Sequence, residues 1–227
     1  MRVEDCFKLN EKQIKEFDEY TKLLLEWNEK INLTAITDVN EIHVKHFIDC
    51  LEIAKYLENN EKIIDIGTGA GFPGIPLKIY DESLNVTLVD SLNKRIMFLN
   101  DVIEKLNLKG IEAIHNRAED IGKDNKYREK YDVAVSRAVA SLNVLAEYLI
   151  PLVKVGGRCI CMKGPNAHEE IENAKNAIKI LGGSIENIDS FELPENGGKR
   201  TIIIIRKVKS TDKKYPRKAG EPTKNPL

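Results

Sequence analysis

The stretch Asp65-Ile-Gly67-Thr-Gly69-Ala-Gly71-Phe-Pro-Gly74 follows directly on the apolar run Lys62-Ile-Ile-Asp-Ile. Those residue types in that order describe a buried strand that breaks into a glycine-rich turn and feeds a helix. Glycine clears side chains from such a turn, so backbone N–H groups can meet a ligand at close range. A second apolar run, Val86-Thr-Leu-Val-Asp90, ends in a carboxylate. An acid at that strand tip can accept both hydroxyls of a ribose. Together the two features point to an adenosine-type cofactor.

Two chemistries compete for such a site. Gly69-Ala-Gly71-Phe-Pro-Gly74 has the spacing of a nicotinamide-dinucleotide loop, which would make the chain an NAD-dependent oxidoreductase. Asp65 favours the other chemistry, because S-adenosylmethionine enzymes often hold a carboxylate at the first strand tip, near the ligand's charged amino acid end. Pro73 and Pro76 favour it too: a proline ring suits a first helical turn but offers no N–H to a pyrophosphate. S-adenosylmethionine has no phosphate to bind. A methyltransferase is therefore the preferred reading and the oxidoreductase the runner-up.

The surrounding pattern supplies the elements that must carry these residues. Asn10 with Gln13 starts a helix over about 11–30, with Ile14, Phe17, Leu24, Trp27 and Ile31 at helical spacing. Asp38 with Glu41 starts another, with Ile42, Phe47, Leu51, Ala54 and Leu57 as its buried stripe. From residue 62 the rhythm becomes strand, turn, helix. Strands are expected at 62–66, 86–90, 111–115, 131–136 and 157–162, with helices at 74–80, 93–107, 117–121, 140–153 and 166–181. Two further strands, about 184–192 and 201–206, are joined by a loop too short for a crossover helix, so they pair antiparallel. The predicted architecture is α/β and Rossmann-like, a mostly parallel seven-stranded sheet ending in an antiparallel hairpin. Residues 1–59 form an N-terminal helical cap, 60–208 the cofactor-binding domain and 209–227 an irregular basic tail.

Composition sets the outer bounds. The chain has 227 residues, 42% hydrophobic and 31% charged, with no apolar run of membrane-span length and no apolar leader after Met1, so a cytoplasmic location is expected. Four cysteines suit a reducing compartment; Cys159 and Cys161 share a strand face and are expected to pack in the core. His43 and His46 share a helical face without enough neighbouring ligands for a metal. The net charge of −1 conceals an asymmetry, since residues 199–227 carry +8 and residues 1–198 carry −9. A basic terminal segment suits an anionic polymer as partner, or else a solvated tail.

Several longer segments carry a family likeness. They are Trp27-Asn-Glu-Lys-Ile-Asn-Leu-Thr-Ala-Ile36, His46-Phe-Ile-Asp-Cys-Leu51, the glycine loop extended to Leu77, Val89-Asp-Ser-Leu-Asn-Lys-Arg95, Arg117-Ala-Glu-Asp120, Val135-Ser-Arg-Ala-Val-Ala140 and Tyr215-Pro-Arg-Lys-Ala-Gly-Glu-Pro-Thr-Lys-Asn-Pro-Leu227. With these pieces running almost end to end, the chain resembles the bacterial small-subunit ribosomal RNA methyltransferase G family, also called glucose-inhibited division protein B. Cys50 departs from the serine usual there, which touches only a local hydrogen bond. The resemblance implies a class I S-adenosylmethionine-dependent methyltransferase that acts as a monomer in a 30S-subunit context. It implies transfer to N7 of one guanine of 16S rRNA, at about position 527, an atom displayed on the major-groove edge. Carried over by position, the cofactor contacts fall on Gly67, Phe72, Asp90, Ala118, Glu119 and Arg137, to which the loop geometry adds Gly69 and Gly71.

The residues themselves are compatible with that chemistry. The Glu119 backbone is placed to read an adenine nitrogen, and the Glu119 or Asp120 carboxylate the exocyclic amine; the plain alternative is helix N-terminal acids. Arg137 ends the fourth strand and either grips cofactor or RNA or makes a structural ion pair. Guanine N7 has an in-plane lone pair and no proton to remove, so no catalytic base is assigned. Candidate phosphate contacts are Lys94, Arg95, Lys163, Lys199, Arg200, Arg217 and Lys218. Tyr215 either stacks on a base or packs, and Asp49 is expected to orient a neighbour. Methylation of another RNA or of a small molecule is the nearer alternative, the latter disfavoured by the basic terminus.

Overall fold

The computed structural model describes residues 1–165 and 167–227. A seven-stranded sheet has the order β3-β2-β1-β4-β5-β7-β6. Its strands are β1 (Lys62–Ile66), β2 (Asn85–Asp90), β3 (Ile111–His115), β4 (Tyr131–Arg137), β5 (Val153–Lys163), β6 (Gly183–Leu193) and β7 (Gly198–Lys207). The first five run parallel, and β7 is antiparallel to both β5 and β6. The chain reverses its direction of winding between β1 and β4, the point at which open α/β sheets open a crevice at their carboxyl ends. β1 and β2 are buried after their first residue, as strands covered on both faces must be.

One face is covered by α1 (Glu11–Ile31), α4 (Gly74–Tyr80) and α5 (Asn93–Lys105), the other by α7 (Leu142–Leu149) and α8 (Ala167–Leu181). The α1 start is a reciprocal cap: Asn10 Oδ1 accepts the Gln13 N–H at 3.0 Å, and Gln13 Oε1 accepts that of Asn10 at 2.9 Å. The Gln13 amide also donates to the Ile79 and Tyr80 carbonyls, fastening the end of α4 to the start of α1. Phe17, Tyr20, Leu24 and Phe47 pack with sheet residues in a single cluster, so residues 1–59 share the core of one sheet face. Cys159 and Cys161 are buried in the opposite cluster.

Three expected elements differ. The helix foreseen from Asp38 to Leu57 is α2 (Val39–Ile42), a π-helical turn at His43–Ile48, α3 (Asp49–Leu51) and a short 3₁₀ turn at Ala54–Tyr56. Ile42 and Phe47 are five residues apart, and a π turn brings that spacing onto one face. The helix foreseen at 140–153 ends at Leu149, because Pro151 cannot continue it; a 3₁₀ turn follows and β5 starts at Val153. The tail is not a free solvated segment. Thr211, Tyr215 and Pro216 are buried, and a short helix, α9 (Glu221–Lys224), closes it.

Candidate functional site

The carboxyl ends of β1, β2 and β4, with α6 (Ala118–Ile121) after β3, converge on two adjoining cavities of about 1120 and 270 Å³. Gly67, Asp90, Ser91 and Val139 line both. Val139 sits on Gly67 at the junction: a Cβ on that glycine would lie 2.5 Å from a Val139 methyl, so only glycine permits this contact.

Asp90, 2% exposed, is oriented from three sides. Its Oδ2 accepts the Gly69 N–H at 2.9 Å and its Oδ1 the Leu92 N–H at 2.9 Å, and Arg95 reaches Oδ2 at 3.1 Å. Two backbone donors fix the carboxylate plane, and its remaining lone pairs are available to hydroxyls. The smaller cavity continues past Val89 to Ala118 and Glu119, with Tyr148 beside them. Glu119 Oε1 accepts the Gly220 N–H at 2.8 Å.

Asp65 turns inward, contrary to its expected position near a ligand's amino acid end. It is fully buried; Oδ2 accepts the Thr68 hydroxyl at 2.6 Å and the Gly74 N–H at 2.9 Å, while Oδ1 has no partner. Burial pushes this carboxyl up to about 7. Its role is to clamp the glycine loop onto the start of α4. The clamp takes the first backbone donor of that helix, the one a pyrophosphate would seek. Gly71 likewise serves the loop and lines neither cavity: with φ +95°, a Cβ there would lie 2.5 Å from Ile75 and 2.8 Å from the Tyr20 hydroxyl. That hydroxyl donates to the Ala70 carbonyl, so α1 holds the loop as well.

The larger cavity has a wall built by the N-terminal residues. Phe72 stacks on His46 at 4.6 Å between centroids, and the Arg137 guanidinium lies 4.9 Å from the same ring. Arg137 Nη1 donates to Asp49 Oδ2 at 2.9 Å and to the Lys45 carbonyl at 3.0 Å. Its Nη2 lies 3.1 Å from His46 Nδ1. Guanidinium nitrogens only donate, so Nδ1 accepts, and Nε2–H then points at the Thr34 hydroxyl, 2.9 Å away. Burial first, and the Arg137 cation second, pull the His46 imidazole down to about 3. Asp49 also faces Arg200, at 3.2 Å. Arg137 thus makes the ion pair that had been its plain alternative, and Asp49 orients two arginines at once. Five cationic side chains (Lys45, Arg95, Arg137, Lys163, Arg200) and three carboxylates (Asp49, Asp90, Glu170) line this cavity, which leaves it positive in a chain of net charge −1.

The candidate phosphate contacts divide. Arg95 and Arg200 reach the cavity, each across a carboxylate. Lys94, Lys199 and Lys218 are exposed. Lys163, which also lines the cavity, and Arg217 are both committed to partners within the fold. Lys163 is buried, donating to the Ala140 carbonyl and pairing with Glu170 at 2.6 Å. Arg217 makes a two-pronged pair with the buried Glu147, at 2.7 Å for Nη2. Tyr215 packs in the core cluster. The sequence reading assigned no site role to Thr34, Tyr148 or Gly220. One signal was a lone carboxylate, Glu147, in the apolar run Leu142–Leu149, which demands a cation from somewhere distant.

The rRNA small subunit methyltransferase G profile matches residues 13–203. A protein of Acetivibrio thermocellus named ribosomal RNA small subunit methyltransferase G is 56% identical over 96% of this chain and 90% of its own length. A protein of the same name from Staphylococcus carnosus is 51% identical over 96% and 92%.

The chain belongs to the rRNA small subunit methyltransferase G family.

As a family member it is an S-adenosylmethionine-dependent methyltransferase. Its fold agrees. A SAM-dependent methyltransferase from Aquifex aeolicus superposes with a TM-score of 0.56 at 19% identity, over 74% of this chain and 93% of that one. M. jannaschii TYW2, solved in complex with AdoMet, gives 0.56 at 15% identity over 71% and 74%. The residues of this rRNA methyltransferase G relative fit the donor chemically: a fixed buried carboxylate for a diol, a glycine-lined turn, and a second buried acid beside the smaller cavity. Among the described residues no helix is long and apolar enough to cross a membrane.

Proposed function

We propose that this chain methylates N7 of one guanine in 16S rRNA, at about position 527, presented by the 30S subunit or its precursor. The donor, when bound, supplies an electrophilic sulfonium methyl group. Asp90 receives the ribose, Glu119 with the Ala118 backbone receives the adenine in the smaller cavity, and the loop from Gly67 to Phe72 receives the amino acid end. The target purine enters the larger cavity against Phe72 and Arg137. Asp49 neutralises one of its two arginines, and the surplus positive charge favours the RNA backbone. Both cavities are lined by one chain, which suits a monomer, and a ribosomal substrate suits the bacterial cytoplasm.

The observation that carries this reading is the commitment of every acid and imidazole described around the larger cavity. Asp49 is held by Arg137 and Arg200, Asp90 by two N–H groups and Arg95. Glu170 is held by Lys163 and the Leu142 N–H, and His46 accepts from Arg137. Each carboxylate is paired with an arginine or lysine, the Asp49 Oδ1 that lacks a hydrogen bond facing Arg200 at 3.2 Å, so none is poised as a general base, and N7 has no proton to give. Catalysis is then in-line positioning of a lone pair. Methyl transfer to 30S particles from cells lacking the protein, followed by mass spectrometry of the nucleosides, is expected to yield 7-methylguanosine. A methyl group on an exocyclic amine, a ring carbon or a ribose overturns the assignment.

A further inference from the structure

The C-terminal residues have a use other than the RNA contact their charge suggested. They lie across α6 and α7 and end on the smaller cavity. Arg128 ties them down at one end, donating to the carbonyls of Thr211 (2.7 Å), Asp212 (3.2 Å) and Tyr215 (2.7 Å). Arg217 fastens the middle through Glu147, which is 1% exposed. Beyond these anchors the chain turns at Gly220, with φ +81°, and directs its N–H at Glu119 Oε1, 2.8 Å away. The Tyr148 hydroxyl closes the arrangement, 3.5 Å from the same oxygen and 3.3 Å from Thr223 Oγ1.

We propose that residues 211–224 act as a strap that orients the Glu119 carboxylate toward an adenine amine, which makes Gly220 a positioning residue for the cofactor. The physical reason is geometric. Glu119 is 6% exposed and sits in the first turn of a four-residue helix that gives its side chain little support. With Oε1 held by the strap, Oε2 is the oxygen left to accept from a donor in the cavity that Glu119 lines. A carboxylate fixed in this way separates an exocyclic N–H donor from a carbonyl acceptor, since the second would set two acceptors against each other. The strap therefore sets which base the donor must carry.

The inference rests on the adenine assignment made above, and calorimetry separates the two. The probes are S-adenosylhomocysteine and S-inosylhomocysteine, which differ in the amine at issue. The full chain is expected to prefer the adenosyl compound by about tenfold or more. A chain ending at Lys218 keeps the Arg128 and Arg217 anchors and loses Gly220 and Thr223. It is expected to lose most of that preference, with nearly unchanged affinity for the inosyl compound. A shortened chain that keeps the full preference overturns the strap. A full chain with no preference overturns the Glu119 contact and the strap with it. If the shortened chain does not fold, amide exchange of the intact protein decides. The Gly220 N–H is expected to slow on adding the adenosyl compound and not the inosyl one, and an equal response to both refutes the proposal. Neither measurement involves RNA, so the identity of the methylated atom does not enter.

Discussion

The two termini of this chain both reach the cofactor crevice, from opposite faces of the sheet and by different means. The N-terminal residues send charged and aromatic side chains, His46 and Asp49, into the larger cavity, where they hold Arg137 against Phe72. The C-terminal residues send one backbone N–H, from Gly220, to the smaller cavity; two of their cations are tied to the fold, Arg217 on the buried Glu147 and the fully buried Lys207 on Glu129, while Lys209, Lys213, Lys214, Lys218 and Lys224 are exposed. On the assignment proposed above, the side chains lining the open, positive cavity are those that meet RNA. On the same assignment, the backbone donor anchored by half-buried ion pairs serves the cofactor.

The sharpest way to break this contrast is to cut one arginine on each side. Arg217→Ala leaves Glu147, which is 1% exposed, with the residue-217 N–H but no cation, and is expected to cost about 3 kcal/mol in urea unfolding. Methyl transfer at saturating donor should survive in the folded fraction, and the defect should fall on the KM for the donor. Arg137→Ala leaves Asp49 with Arg200, so it is expected to cost less stability, about 1–3 kcal/mol. It should nevertheless lower methyl transfer by about a hundredfold or more through misplacement of the target base. Stability and activity effects that run in parallel for the two variants would erase the distinction.

A smaller effect tests the shared middle of the crevice. Asp90→Ala is expected to weaken S-adenosylmethionine binding by about 1–3 kcal/mol in calorimetry, because the carboxylate is held between the loop and Leu92 and cannot be replaced by a neighbour. Unchanged affinity would remove its part in holding the ribose.

The last prediction concerns pH. Burial brings His46 down to about 3 and His43 to about 4, both from 6.5. The unfolded chain takes up these protons near pH 6.5, whereas the folded chain waits until about pH 3–4. The stability they contribute is complete above 6.5 and declines as pH falls. By pH 5 the loss is about 2 kcal/mol for each histidine. Hydrogen-exchange protection factors, which divide out the intrinsic pH dependence of exchange, should therefore fall from pH 7 to 5 in residues 39–56 before they do in residues 211–224.

How much of this was legible in the sequence follows from the range of the interactions. The sheet was, since its central strands announce themselves by local apolar runs: Lys62–Ile66 and the tip at Asp90 stand as read, and the antiparallel pair, whose outer strand is mostly polar, followed from loop length. The glycine loop was legible as a turn, but not the division of labour inside it, where Gly67 faces the cavity and Gly71 faces Tyr20. The charged network was not legible. Asp49 meets Arg137 and Arg200, and Arg217 meets Glu147, across sequence distances no period connects. Net charge was a partial guide for the same reason: Lys199, Lys209, Lys213, Lys214, Lys218 and Lys224 are exposed as a basic surface would be, whereas Arg200 and Arg217 are received by the buried carboxylates of Asp49 and Glu147.

Val139 resting on Gly67 has a bearing on both cavities. Any molecule long enough to extend from one cavity into the other lies against that isopropyl group, because Gly67 and Val139 line both. The snugness of that contact is shared between two strands' ends, so a larger side chain at either position narrows both cavities at once.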